Sequence, residues 1–431
     1  MSVDGYRVGI PLRVVDAARV LIVLAILSFL ATGCGSSVSG SSPASADGDL
    51  TASGASGACP VVVLDALRHV AIHVYNEGIS SERTEVAKRV IARSAVLREA
   101  TERGDSGAAR SAAQALVETG HLTSLTVLRG GETLAEAGSA DALAPLSGPV
   151  LSTKGAPVGS FVTSVWSDAG FIAEMQGVAE GDVALREGAH SIPGSFTLPA
   201  GELPPAGTFT EHGVPMQYTS FPAAVYPSGS LRVYLMRPVS STTGLCGRTP
   251  ADTLINTISR IARLIYAGEA GRRALIQVHR VQHDPALLSA VARRNPAATR
   301  AAIEALLNQH IVRLRVSAGG RLLGDVGGPY VLAPVRAALR LSGRQIGNFV
   351  LSIQDDEGYL RLAKRLAGLR VLMYMRGSEL VKNSLGPAPG TVPGSGRYQY
   401  RGRTFQVFTL NAQAFPSGPL TIHVLIPIPY S

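Results

Sequence analysis

Cysteine is scarce in this sequence, three residues in 431, which excludes the disulfide framework of a small secreted scaffold. Charge is scarce too. Asp, Glu, Lys and Arg make up 16% of residues, against about 25% in ordinary soluble domains, while 46% are hydrophobic. That balance excludes a disordered chain. Only one apolar run approaches the length of a membrane span, so a multi-span membrane protein is excluded as well. Enzyme signatures are missing: there is no G-x-S-x-G, P-loop, G-x-G-x-x-G or S-x-x-K. No motif therefore gives a reason to expect catalysis. What remains is room for two or three domains at about 100–200 residues each, each able to bury a core. The formal net charge is +9, from 40 Lys+Arg against 31 Asp+Glu.

Arg7, Arg13 and Arg19 precede an uncharged apolar stretch from Val20 to Ala31. This is the layout of a secretory signal. As a helix the stretch would measure about 18 Å, short of the roughly 30 Å hydrocarbon core of a bilayer. It runs into Leu30-Ala31-Thr32-Gly33-Cys34, which resembles the lipobox of bacterial lipoproteins. The resemblance implies a signal peptide over residues 1–33, diacylation of Cys34 and a lipid-anchored body on the extracytoplasmic face of the cell membrane. One departure is Ala31, because leucine is favoured three places before the cysteine. Residues 34–58 are largely Gly, Ser, Ala and Thr without an aromatic residue, and read as a flexible tether spanning about 25–30 Å.

Beyond the tether the sequence repeats itself. Tyr226-Pro227-Ser228-Gly229-Ser230-Leu231-Arg232-Val233 returns 189 positions later as Phe415-Pro416-Ser417-Gly418-Pro419-Leu420-Thr421-Ile422. Pro238 and Pro427, His121 and His310, Gly188 and Gly377, and Gly213 and Gly402 keep that offset. Asp168-Ala169-Gly170-Phe171 matches Asp356-Glu357-Gly358-Tyr359 at 188, and Cys59 matches Cys246 at 187. So small a drift implies duplication with minor insertions. The copies are expected at residues 59–240 and 246–431.

Each copy opens with a helical region, over 61–119 and 251–309. Leu64, Leu67, Val70, Ala71 and Val74 fall at helical spacing, as do Leu254, Ile258, Ile261 and Ile265. Breaks are expected at 76–78, at Gly268, near Gly104 and at Asn295-Pro296. The period then changes to two. In the second copy strands are expected over 311–317, 320–325, 346–353, 370–375, 397–409 and 419–426. A short helix is expected near Pro334–Leu341 and an amphipathic one over Gly358–Leu366. Gly319-Gly320 and Arg401-Gly402 supply hairpin turns. Helices leading into antiparallel strands, with further helices inserted, make an α+β module.

The order of these elements resembles a known family. Two early strands are followed by Gly327-Gly328-Pro329 and Ala333-Pro334-Val335. Next comes the strand Ile346-Gly347-Asn348-Phe349-Val350-Leu351-Ser352-Ile353, and then Asp355-Asp356 opening a helix. This looks like the Cache family of extracytoplasmic sensory domains, with a PAS-like five- or six-stranded sheet, present here as two tandem modules. Such domains usually sit between two membrane helices and drive a cytoplasmic output. This sequence has no second apolar run, so a sensor relying on a separate membrane kinase or transporter is expected.

The resemblance places a ligand pocket over the sheet of the second copy, near Arg313, Tyr330, Ser352, Asp355, Asp356, Tyr374 and Arg376. Arg313 and Arg376 could clamp a carboxylate, and Asp355 or Asp356 could hold an ammonium group. Asp356 is equally well read as a helix cap. The first copy offers Ser124, Ser164, Trp166 and Asp168 in the corresponding region, with Glu187 in place of Arg376. The expected ligand is a small anionic or amino-acid-like molecule, and no cofactor is implied.

With Cys34 lipidated, Cys59 and Cys246 form an even pair in an oxidising compartment. A disulfide joining the two copies is expected, the alternative being two unpaired thiols too far apart to bridge. Charge divides unequally. Residues 34–240 hold 13 Lys+Arg against 20 Asp+Glu, net −7, and residues 241–431 hold 24 against 9, net +15. The copies could attract one another. Alternatively the basic copy could face an anionic wall polymer or lipid, making this an envelope interaction or structural protein. Export removes the nucleic-acid reading. His69 and His73, and His279 and His283, are spaced as metal ligands on one helix face. Neither pair has an evident third ligand, and no metal site is expected.

Overall fold

A computed structural model describes residues 52–431, apart from His121, Glu269, Asn308, Gln309, Ser417 and Ser431. The expected signal peptide, Cys34 and most of the tether lie outside the described residues.

An apolar stripe from Val63 to Val74 builds α1 (Ala52–Ser80). Val63, Leu64, Leu67, Val70, Ala71 and Val74 are at most 2% exposed. The helix begins inside the stretch expected as tether, and runs past the break expected at 76–78. Gly78 permits this, because a Cβ there would lie 2.4 Å from the Trp166 ring. Three shorter helices follow: α2 (Glu82–Arg93), α3 (Ala95–Arg103) and α4 (Ser106–Gly120). Ser81 and Ser94 cap α2 and α3 by accepting the amides of Thr84 and Leu97. Gly104, with φ 72°, ends α3.

The first copy continues as β1 (Ser124–Arg129), β2 (Glu132–Gly138), β3 (Ala142–Leu143), β4 (Leu146–Leu151), β5 (Pro157–Ser164) and β6 (Trp166–Ser167). Then come α5 (Asp168–Ala179), β7 (Asp182–Glu187), β8 (His190–Ser191), β9 (Ala206–Glu211), β10 (Val214–Val225) and β11 (Gly229–Pro238). The second copy repeats this order. Its helices are α6 (Pro250–Gly268), α7 (Arg272–His283), α8 (Pro285–Ala292) and α9 (Pro296–Leu307). Its strands are β12 (Arg313–Ala318), β13 (Arg321–Gly327), β14 (Val331–Leu332), β15 (Val335–Leu341), β16 (Arg344–Ser352) and β17 (Gln354–Asp355). After α10 (Asp356–Ala367) come β18 (Arg370–Met375), β19 (Glu379–Asn383), β20 (Gly396–Tyr400), β21 (Arg403–Phe415) and β22 (Gly418–Ile428).

The protein is thus an α+β fold of two tandem modules, each a helical region leading into antiparallel strands. The strands of each copy divide between two sheets, where the family pattern implies one. A four-stranded sheet has the order β2-β1-β5-β4, repeated as β13-β12-β16-β15. A seven-stranded sheet has the order β6-β3-β10-β11-β7-β8 with β9 on β10, repeated as β17-β14-β21-β22-β18-β19 with β20 on β21. The short helix expected near Pro334–Leu341 is strand β15, paired along its length with β16. Its alanines, leucines and arginines favour a helix in isolation, and the pairing overrides them.

The two copies share one core. The inner faces of the seven-stranded sheets pack against α1, α5, α6 and α10 in a single buried cluster, from Val63 and Phe171 to Tyr359 and Ile422. Each four-stranded sheet packs with its own helices in a separate cluster, α2–α4 in the first copy and α7–α9 in the second. Cys59 and Cys246 are bonded, with Cα atoms 5.6 Å apart, which joins α1 to the residues leading into α6. Among the described residues three ion pairs cross between the copies: Glu180–Arg260 at 2.6 Å, Glu77–Arg365 at 3.2 Å and Glu174–Arg273 at 3.9 Å. Each takes its acid from the first copy and its arginine from the second, in the same sense as the unequal charge division.

Candidate functional site

The start of α5 is built twice, and the two versions differ in charge. In the second copy Asp355 is the N-cap, its carboxylate accepting the Gly358 amide at 2.7 Å. Asp356 is the first helical residue. In the first copy Ser167 takes the capping place, accepting the Gly170 amide at 3.1 Å. Asp168 is therefore not needed as a cap, and neither is Asp356.

Asp168 is nonetheless buried, at 4% exposure, and its Oδ1 has no hydrogen-bond partner. Burial, with nearby Asp141 adding to it, pushes its pKa up to about 6. A helix N-terminus favours the ionised carboxylate by about 0.3–1 kcal/mol, so desolvation wins here. Asp168 lines a cavity of about 340 Å³ between α5, the edge of β3 and the turn joining β10 to β11. Asp141 and Glu187 line it as well, with Tyr226, Ile192 and Pro193. Among the described residues no lysine, arginine or histidine nitrogen lies within 4.0 Å of these three carboxylates.

The second copy has the same acid with a cation already beside it. Lys382 places Nζ 3.5 Å from Asp356 Oδ2 and donates to Glu357 Oε1 at 2.6 Å. Asp356 is 5% exposed, and burial raises its pKa while Glu357's amide and Lys382 pull it down. Ile192 and Val381 both pack against the shared core, and the repeat offset of 189 matches Pro193 with Lys382. Tyr330 stands where the first copy has Asp141, one residue before β14 and β3 respectively. One copy thus carries an internal ammonium group, and the other an open acidic cavity in its place. An ammonium group offers three donors and a positive charge, which matches Asp168, Asp141 and Glu187.

The remaining expected residues are scattered. Arg313 donates to Asp325 at 2.8 Å and to the Gly328 carbonyl at 2.6 Å. Arg315 joins the same carboxylate at 2.7 Å, and both guanidiniums lie over the Phe415 ring. Arg376 sits in the turn after β18, its side chain 86% exposed and 3.8 Å from Glu379. The two arginines expected as a carboxylate clamp thus have separate partners within the chain. In register Glu187 corresponds to Met375, not Arg376, since each closes its strand. Tyr374 packs on His423 with ring centroids 4.9 Å apart. Tyr330 is half-buried against the shared core. Ser352 is fully buried with no partner for Oγ. Trp166 meets Phe171 edge-on, beside Gly78. Lys382 had no place in the sequence reading, although it is one of only four lysines.

A larger cavity, about 710 Å³, lies on the seam between α1, α6, β9 and β10. Of its polar side chains, Asp65 takes Arg68 at 2.7 Å, and Tyr430 donates to the Ala367 carbonyl at 3.1 Å. His69 meets Tyr430 edge-on. Thr208, Gln217 and Thr219 line it as well, but among the described residues none of its side-chain nitrogens or oxygens is both fully buried and unpartnered, as Asp168 Oδ1 is. His279 and His283 stack on each other at 4.0 Å, and no cluster of three metal-ligating side chains occurs among the described residues.

No family model matches this sequence, and no curated protein does. Among solved structures it is similar to the ligand-binding domain of the Pseudomonas fluorescens chemoreceptor CtaA in complex with L-alanine. That match has 10% identity and a TM-score of 0.27, covering 41% of this chain and 99% of that one. The ligand-binding domain of Mlp24 with asparagine matches at 13% identity and TM-score 0.27, over 44% and 97%. The periplasmic domain of Vibrio cholerae LuxQ matches at 12% and 0.23, over 44% and 100%. No helix among the described residues is long and apolar enough to cross a membrane.

Proposed function

We propose that this is an extracytoplasmic, lipid-anchored sensory protein that binds a small amine-bearing molecule, amino-acid-like in size, in the Asp168 cavity of its first copy. The observation that carries the reading is the contrast between the twins. Asp356 has Lys382 beside it, whereas Asp168 is equally buried, has an unpartnered oxygen and faces open space. A ligand ammonium there restores the arrangement that the second copy builds from its own side chains. The lipid anchor rests on the likeness of the sequence around Cys34 to a lipobox, and in this reading a membrane kinase or transporter receives the ligand state.

Ligand occupancy has a route out of the pocket. Asp168 begins α5, and Glu180 caps its other end, paired through two hydrogen bonds with Arg260 of the second copy at 2.6 and 2.8 Å. A ligand that fixes the start of α5 thereby acts on α6, which packs with α1 in the shared core. Thermal-shift titration of the full chain with L-alanine, L-lysine, ethanolamine and succinate tests the proposal. An upward shift with at least one amine, absent in Asp168→Asn, supports it. A shift with succinate alone, or amine binding unchanged in Asp168→Asn, overturns it.

A further inference from the structure

We infer that the first copy carries a second, separate site, for an oxyanion of two negative charges, built from Arg186 and Arg232. The two residues are direct cross-strand partners on β7 and β11. Val183, Leu185, Leu231 and Val233 point into the shared core, while Ala184, Tyr234 and Met236 face the opposite side. By strand alternation Arg186 and Arg232 share that outer face. They line a cavity of about 660 Å³ together with Leu203, Pro204, Pro205 and Glu202, whose carboxylate lies beyond 4.0 Å of either guanidinium.

Placing like charges directly opposite on a sheet is unfavourable, and burying a guanidinium without a counter-charge is more so. Both conditions hold. Arg186 is 5% exposed and its Nε has no partner. Its other nitrogens reach only the carbonyls of Pro199 and Ala189, at 3.3 and 3.4 Å. Arg232 donates to Ser220 Oγ at 3.0 Å. Among the described residues neither guanidinium has a carboxylate within 4.0 Å.

The fold itself does not ask for these arginines. In the second copy the same cross-strand pair is Tyr374 and Thr421, both uncharged. The first copy is short of cations besides, with Lys154, Arg186, Arg232 and Arg237 the only lysines and arginines between residues 130 and 240. Half of them meet at one cavity. Two fixed guanidiniums present parallel donors suited to a phosphate or to the carboxylates of a short diacid. The cavity falls in the usual size range for small-molecule sites, about 300–1,000 Å³.

The test is calorimetric titration of the full chain with inorganic phosphate and, separately, with succinate, against sodium chloride at matched ionic strength. Binding of either anion beyond the salt control, weakened at least about tenfold in Arg232→Thr, supports the site and tells which chemistry it prefers. Arg232 is only half-buried, so that variant spares the core. The double variant Arg186→Tyr/Arg232→Thr installs the residues that the second copy carries. It is expected to fold at least as stably and to bind neither anion. Absence of binding by both anions in the unaltered chain, or undiminished binding in Arg232→Thr, overturns the inference. The readout is independent of amine binding, which Arg232→Thr should leave in place.

Discussion

Lys382 holds its ammonium nitrogen 3.5 Å from the carboxylate of Asp356, and the position equivalent to that lysine in the first copy is Pro193. Duplication produced two identical acids. Divergence left one neutralised from within and the other facing a cavity.

The lysine can be removed. In Lys382→Met the buried Asp356 loses its cation, and its pKa is expected to rise further. Folding stability at neutral pH should drop by about 1 kcal/mol, modest because Lys382 is partly exposed. More telling is stoichiometry: amine binding should go from one site per chain to two, read by calorimetry. The reverse change, Pro193→Lys, should supply the first copy with its own ammonium and abolish amine binding there.

Asp168 also governs stability, and the sign is fixed by its raised pKa. Below its ordinary value of 3.8 folded and unfolded chains both hold the proton. Between there and about 6 only the folded chain does, so its stabilising contribution is lost as pH rises through that window. Asp168→Asn should therefore be more stable than the unaltered chain at pH 7.5, by on the order of 2 kcal/mol, and near parity at pH 4. Denaturant unfolding at the two pH values measures this. A stabilised variant that has lost amine binding is the signature of a residue retained for a ligand.

The Cys59–Cys246 bond spans a sequence separation of 187. In the chain-entropy model a loop of that length contributes about 5 kcal/mol. Replacing both cysteines by serine should lower stability by several kcal/mol, measured by chemical denaturation under oxidising conditions. The variant should match the reduced form of the unaltered chain.

Arg260 and Glu180 link the pocket helix to the second copy. As a partly exposed, doubly hydrogen-bonded pair they should show a coupling of about 0.5–1 kcal/mol in a double-mutant cycle, shrinking in high salt. If the route through α5 is correct, Arg260→Ala leaves amine affinity within a few-fold while reducing the protection from hydrogen exchange that ligand confers on α6.

Much of this architecture was legible because duplication marks equivalent positions. The near-constant offset placed the helical regions, the Gly319-Gly320 and Arg401-Gly402 turns, and the cysteine pair. Asp168 and Asp356 stood out by the same comparison. Strand β15 did not, because Val335–Leu341 has helix-forming composition and only its pairing with β16 decides the matter. Nor did the division into two sheets, since periodicity tells which face a residue takes but not which sheet it joins. Lys382 was missed for a similar reason: 26 residues from Asp356 in sequence, it reaches that acid only through the β18–β19 hairpin. Arg313 looked like a free ligand clamp until Asp325, on the neighbouring strand, claimed it.

The most direct measurement is the affinity of the tightest-binding amine across about pH 5 to 8, by calorimetry, for the unaltered chain and Asp168→Asn. An ammonium ligand selects the ionised carboxylate, so affinity should climb roughly tenfold per unit up to about pH 6 and then level off. The variant should show neither the binding nor the slope. Affinity that is flat across this range, or that survives in Asp168→Asn, would contradict the assignment of this cavity as the amine site.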